Sequence, residues 1–363
     1  MQVIPSTVWI LTYLRPDTGS GVERFVSNLS SALRDHGFRV QILDSQTAGV
    51  GDSLILRLRP FVAWKIGREL NRRAQKDDLV ICNGYFSWNA RRGRGIVIYH
   101  GTELGRARAT TEVTGKFRNL IVRTLNARLD RKSAMGRTVV AVSESTKVDL
   151  EQLYGLKVDA VIPNGIDLRE FRPAEDKAEI RKVLGLPTDK FLILYAGPPD
   201  VRKGFDMLVH ELAPVLKPSQ ILVMTTRMAD PPRNVIPVGR VPFDQIVKYY
   251  QACDAFVMPS YYEGCSYALA EAMACGIPSI ISNTGSASDM LADSTLAKYV
   301  ISRNDAEEYA AKLRFLEESI EERQLVSKSS RSFAEAQFDI RDFERSYTDL
   351  VKSVLAKSDG AER

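Results

Sequence analysis

The sequence predicts an α/β protein made of two doubly wound parallel-sheet domains in series. Three observations lead there. The chain has 363 residues, more than one hydrophobic core usually serves. Short apolar runs ending in glycine or a small polar residue alternate with helical stretches, once through each half. Between the two series, FRPAEDKAEIRKVLGLPTD at 171–189 turns polar and marks a junction. The expected domains are therefore 1–170 and 171–340. A last helix at about 341–357, centred on Phe343 to Leu355, is expected to cross back to the first domain.

In order, Val8 to Tyr13 is an apolar strand. The loop RPDTGSG leads into the helical stretch VERFVSNLSSALRDHG, closed by Gly37, and then the strand FRVQILD. DDLVICNG, GIVIYHG, TVVAVSES and VDAVIPNGID are further short apolar runs. The second series opens at Lys190 with FLILYAG. It continues through a helix from Gly204, the strands SQILVMTT and NVIPVG, a helix over 244–252, and the strand DAFVMPS. Ser266 caps a helix from Tyr267 to Cys275, stopped by Gly276, and GIPSIIS is the next strand. In open α/β sheets ligands bind beyond the carboxyl ends of the strands, so the loops after strands carry the candidate chemistry.

Composition removes several classes. Hydrophobic content of 44% and charged content of 26% are ordinary for a globular protein. Cys82, Cys253, Cys265 and Cys275 form no CxxC pair, which argues against a zinc site or a disulfide scaffold and fits a reducing compartment. MQVIPSTVWILTYL lacks the basic start and cleavage site of a signal peptide, and no apolar run reaches the length of a membrane span. The net charge of +5 is unevenly spread. Residues 1–170 hold 26 Lys/Arg against 17 Asp/Glu, and the remainder 24 against 28. A basic first half suggests an anionic partner for it.

Four features carry chemistry. Gly19-Ser20-Gly21 follows the first strand and opens a helix, where glycines let backbone approach a phosphate. Arg24 stands where a dinucleotide fingerprint would need a third glycine, so a tight turn explains the pair equally well. Arg202-Lys203-Gly204 puts two cations before a helix start, where the dipole disfavours them unless an anion shares the site. His100 ends a strand, whereas His36 and His210 fall on helices. Glu263 and Glu271 stand eight positions apart. On one helix they would be about 80° apart. With Ser266 as cap, Glu263 lies in the loop before the helix and Glu271 one to two turns inside it. That arrangement suits a ligand with an anionic middle and hydroxyls on both sides.

Taken together, GSGVERFVSNLSSAL, VSES, VIPNGIDLREF and DAFVMPSYYEGCSYALAEAMACGIPSI resemble, in order and spacing from Val8 to Leu350, the retaining nucleotide-sugar-dependent glycosyltransferases of family 4. Within that family the pattern is most similar to bacterial lipopolysaccharide-core and cell-surface polysaccharide enzymes. The resemblance implies a GT-B fold, two Rossmann-like domains facing a cleft, the first binding acceptor and the second the nucleotide sugar. It implies a hexosyltransferase using a UDP-sugar, with GDP-mannose possible, on a lipid-linked or glycan acceptor. No cofactor is implied beyond that co-substrate, and no metal is required. By analogy Glu271 would hold the ribose hydroxyls and Glu263 the donor sugar. Backbone N–H groups from Gly264, Cys265, Ser266 and Tyr267 would bind sugar or phosphate. Arg202 and Lys203, aided by Gly19 and Gly21, would hold the diphosphate, and His100 would face the reacting centre. Arg240 and Val241, in VGRVPF, would lie near the base. Two departures stand out. Pro198 replaces the arginine that often follows the strand glycine, and Cys265-Ser266 replaces an aromatic–glycine pair, which leaves the donor sugar open.

Two other readings compete: a sugar-nucleotide epimerase of the same fold, and a non-catalytic subunit. The glutamate spacing with PNGID argues against the first, and the retained His100, Arg202, Lys203, Glu263 and Glu271 against the second. Finally, residues 106–137 hold nine Lys/Arg against Glu112 and Asp130, with Leu120, Ile121, Leu125 and Leu129 at helical spacing. An amphipathic helix over 117–133 is expected, suited to an anionic membrane surface. No aromatic platform accompanies the charge, so nucleic acid is not the expected partner. The expected location is cytoplasmic, peripheral at the inner face of the cell membrane.

Overall fold

The computed structural model describes residues 7–13, 21–50, 59–90, 94–111, 125–302 and 304–359. The chain forms two compact units, Met1–Gly165 with Arg341–Arg363, and Ile166–Ile340. The division falls inside PNGID, a few residues before position 170.

The first unit is built on six parallel strands, β1 (Thr7–Leu11), β2 (Arg39–Leu43), β3 (Leu79–Asn83), β4 (Gly95–Tyr99), β5 (Thr138–Ala141) and β6 (Ala160–Val161). Their order is β2-β1-β3-β4-β5-β6. β3 and β4 are buried at every position, as strands covered on both faces must be, which is why they read as unbroken apolar runs. The helix Gly21–Asp35 turns one stripe inward, Phe25, Val26, Leu29 and Leu33. Winding reverses between β1 and β3, so the loops leaving these strands diverge and open a crevice at their carboxyl ends.

The final helix, Ile340–Asp359, buries Phe343, Tyr347 and Val351, spaced four apart on one face. The Phe343 and Tyr347 rings pack edge-on against Phe25, centroids 5.3 and 5.4 Å away. The backbone makes this return possible. Ile166 N–H donates to Phe338 O at 2.7 Å and Ile340 N–H to Ile166 O at 3.0 Å, so the chain leaves the second unit beside the point where it entered.

Of the basic helix expected over 117–133, residues 117–124 lie outside the described residues. The described part is the helix Ala127–Ala134, with Leu129 buried, Leu125 exposed and Arg128 exposed. Arg131, one of the nine cations and exposed, also has a structural use. Its Nε and Nη2 donate to Tyr154 O (2.8 Å) and Leu153 O (3.3 Å), the last carbonyls of the helix Glu144–Tyr154. A helix end carries unmatched acceptors and negative potential, so a guanidinium there is a structural cap.

The second unit repeats the plan with β7 (Phe191–Tyr195), β8 (Gln220–Met224), β9 (Val235–Pro237), β10 (Ala255–Met258), β11 (Ser279–Ser282) and β12 (Val300–Ile301). All pairings are parallel, in the order β12-β11-β10-β7-β8-β9. Its switch point lies between β7 and β10. The helices Ala306–Glu318 and Ile320–Gln337 complete it, capped by Asp305 and Ser319. Among the described residues no helix is long and apolar enough to cross a membrane.

Candidate functional site

The loops leaving β7 and β10 meet at the second unit's switch point. After β7, Asp200 opens a single tight turn, Val201–Lys203, by accepting from Arg202 N–H at 2.8 Å. The turn ends at Gly204, whose φ is +72°. A Cβ there would stand 2.2 Å from Pro259 O in the loop after β10, so only glycine lets the two loops touch. Tyr261 N–H seals the contact by donating to Arg202 O at 2.9 Å. The consequence is a close ion pair, Lys203 Nζ to Glu263 Oε1 at 2.5 Å, with the glutamate side chain only 11% exposed.

Arg202 is held as firmly by a residue the sequence reading passed over. Asp200 accepts from its Nε at 3.0 Å and from its Nη2 at 2.5 Å, a forked pair that lowers the Asp200 pKa. Two cations beside a helix start do not, then, by themselves require an external anion: Asp200 and Glu263 already supply internal ones. An incoming diphosphate would have to take the place of these carboxylates. Tyr195, the last residue of β7, is raised in pKa by burial and then by the nearby Glu263 and Asp200, and its hydroxyl donates to Pro198 O at 2.8 Å. The contact uses the backbone carbonyl of Pro198, which an arginine there would offer equally.

Behind the pair lies the helix Tyr267–Ala274. Ser266 caps it, its Oγ accepting from Leu269 N–H at 3.4 Å. The helix stops one residue before the expected Cys275, which is its C-cap, and Gly276 turns the chain at φ +67°. YALAEAMA is apolar on nearly every side and is buried accordingly. Glu271 is therefore no surface acid. It is 5% exposed, and Oε2 accepts from the buried Tyr250 hydroxyl at 2.7 Å. Tyr250 orients the carboxylate, which retains capacity for further donors. No residue-type rule singled out Tyr250, because the partner stands 21 positions away on another helix.

Glu263 and Gly264 are braced from the next loop. Ser286 N–H donates to Gly264 O at 2.8 Å. Gly285, at φ +57°, lies so close that a Cβ would sit 2.2 Å from Gly264 O. Cys265 is half-buried between this brace and the cap. Arg240 and Val241 stand after β9, held near the end of β8 by Val238 N–H to Met224 O (2.9 Å) and Gly239 N–H to Thr226 O (3.1 Å). They share the carboxyl edge with Lys203, but two strands along, and Arg240 is exposed.

In the first unit, His100 follows β4. Asn83 bridges the switch point: its Nδ2 donates to Leu11 O at 3.1 Å, which leaves Oδ1 to accept from His100 Nε2–H at 2.8 Å. Phe25 lies edge-on to the ring, centroids 4.5 Å apart. Burial lowers the His100 pKa to about 4, so the ring is neutral at pH 7 and Nδ1 carries the lone pair. Gly21 begins the helix that carries Phe25. Gly19 lies outside the described residues. Among the described residues, no three His, Cys, Asp or Glu side chains converge as a metal-binding group.

Comparison with known proteins gives a consistent result. The family model described as "Glycosyltransferase Family 4" matches residues 19–170, and that described as "Glycosyl transferases group 1" matches 176–333. A putative teichuronic acid biosynthesis glycosyltransferase of Bacillus subtilis is 34% identical over 169 residues, 44% of this chain and 42% of that protein. The chain thus spans less than half the length of that relative. Sucrose-phosphate synthase from Thermosynechococcus elongatus superposes with a TM-score of 0.81 at 19% identity, over 97% of this chain and 100% of that one. The Anabaena protein HepE in complex with UDP-glucose gives 0.71 at 16% identity, over 96% and 99%. These likenesses show a two-domain Rossmann-like fold of the GT-B type.

Proposed function

We propose that this chain, which belongs to glycosyltransferase family 4, moves a hexose from a nucleoside diphosphate sugar to a lipid-linked or surface-glycan acceptor, with retention at the anomeric carbon. A UDP-sugar is the favoured donor. The observation that carries the reading is the Lys203–Glu263 pair at the switch point, with the buried Glu271 on the adjoining helix. A nucleotide sugar has an anionic middle and two polyhydroxyl ends. Glu271 takes the ribose hydroxyls and Glu263 a sugar hydroxyl, because charged acceptors bind hydroxyls more strongly than neutral ones. The helix start at Cys265 to Tyr267 offers N–H groups between them, and Arg240 and Val241 border the base.

In the chemical step the bond between the anomeric carbon and the phosphate oxygen breaks, and the leaving nucleoside diphosphate gains negative charge. Lys203 and Arg202 then exchange Glu263 and Asp200 for phosphate oxygens. An interaction that strengthens as charge grows lowers the barrier. The acceptor oxygen attacks from the face the leaving group vacates, and its proton passes to a phosphate oxygen. In this reading His100 takes part as a neutral acceptor through Nδ1 rather than as a charge.

In this reading two cations neutralise the leaving group without a metal. Chelator should leave the rate intact, and a loss restored by manganese or magnesium would count against it. The reading also includes peripheral attachment to an anionic membrane from the cytoplasmic side, supported by the positive charge of the first 170 residues. The deciding experiment is a panel of nucleotide sugars followed by release of nucleoside diphosphate, alongside thermal shifts with the free diphosphates. A protein stabilised by no nucleoside diphosphate and hydrolysing no donor is not the enzyme proposed.

A further inference from the structure

We propose a second binding site, in the first unit, for a phosphate ester of the kind that heads a lipid. A cavity of about 330 Å³ is lined by Trp88, Asn89, Ala90, Lys132, Met135 and Arg137. That volume falls in the range of small-ligand clefts, roughly 300–1,000 Å³. Its place in the fold separates it from the transfer site. Arg137 stands immediately before β5 and Ala90 lies in the segment that leads back to the start of β4, so the cavity opens at the amino end of these strands. His100 stands beyond the carboxyl end of β4, about 16 Å away at ~3.3 Å per residue.

The donors fit an anion. Lys132 has no carboxylate partner among the described residues, and its Nζ lies over the Trp88 ring, 5.1 Å from the centroid. The Trp88 ring, not its buried Nε1–H, is what faces the cavity cation. Arg137 keeps one N–H on Ser133 O at 2.8 Å, which fixes its guanidinium at the cavity wall. Among the described residues no acid lines the cavity. A phosphate has the charge and the acceptor oxygens for a site lined by Lys132 and Arg137. The remaining wall mixes the polar Asn89 with the Trp88 face, Ala90 and the exposed Met135, which gives the carbon part of an ester a surface that bare inorganic phosphate would not use.

Fluorescence reads this site directly. The three tryptophans, Trp9, Trp64 and Trp88, all lie in the first unit, so the donor site contributes no indole of its own. The full-length protein is titrated at low salt with glycerol 3-phosphate, and separately with vesicles of phosphatidylglycerol or of phosphatidylcholine. We expect saturable emission changes with glycerol 3-phosphate and with phosphatidylglycerol, and none with phosphatidylcholine. Trp88→Phe removes the change. Lys132→Gln weakens binding about tenfold, as loss of one charged hydrogen bond does. A response to glycerol 3-phosphate alone assigns the site to a soluble ester, and a response to vesicles alone assigns it to a headgroup at a surface. Lys203→Ala should leave the response in place, and Lys132→Gln should leave the thermal shift with nucleoside diphosphate in place, so this site and the donor site fail independently. No emission change with either probe overturns the proposal, as does a change that Lys132→Gln or Trp88→Phe leaves untouched.

Discussion

Lys203→Ala tests the proposed mechanism most sharply. In the structure the ammonium is 2.5 Å from Glu263 Oε1, and that carboxylate is 11% exposed. Removing the lysine does two things. It leaves a nearly buried carboxylate unpaired, a desolvation cost of about 1–3 kcal/mol that strains the loop. It also removes a cation from the leaving group, where the loss of one such stabilising donor costs about 3–4 kcal/mol, or roughly 10²–10³ in kcat. The two effects can be separated. Glu263→Gln in the same background removes the unpaired charge, so a lysine that served only to neutralise Glu263 would become dispensable. If Lys203 stabilises the departing diphosphate, the double variant stays as slow as the lysine variant or slower. The assay is single-turnover release of nucleoside diphosphate at saturating donor, with thermal unfolding as a check on folding. A fall in kcat below tenfold, or recovery in the double variant, would refute the leaving-group role and leave the pair a loop brace.

Three further outcomes follow from other residues. Glu271→Ala should raise the donor KM and weaken nucleoside diphosphate binding with kcat less affected, since ribose contacts exist equally in ground and transition states; Tyr250→Phe should shift the same constants in the same direction by a smaller factor. Gly285→Ala should lower turnover and stability together, because its Cβ would sit 2.2 Å from Gly264 O and φ is +57°; wild-type kinetics would mean that the brace does not position Glu263. His100 has a folded pKa of about 4 against an ordinary 6.5, so the unfolded chain binds its proton first on acidification. Its contribution is then fully present above pH 6.5 and is lost as pH falls toward 4, and a His100→Gln variant should show a shallower decline of Tm over that window.

Much of this protein is local and therefore written in the sequence. Strands buried on both faces must be apolar throughout, so FLILY and GIVIY announce themselves, and a helix cap and stop such as Ser266 and Gly276 are short-range chemistry. The Glu263–Glu271 spacing and the RKG turn are likewise legible, because one loop and one helix set them. Partnership is a different matter. Glu271 meets Tyr250, Lys203 meets Glu263 across 60 residues of chain, and His100 leans on Asn83 only because β3 and β4 are neighbours in the sheet. Asp200 was passed over beside Arg202 since a charge next to a charge says nothing about whether a turn will fold one onto the other. Arg131 counts among the nine cations of 106–137, and only the fold shows that it also meets the carbonyl end of a helix 22 residues away. Sequence spacing fixes which residues can share a face within one element. Which faces then meet, and whether a charged group finds its counter-charge inside the protein or must look for it in a ligand, is decided only when strands pair and loops converge.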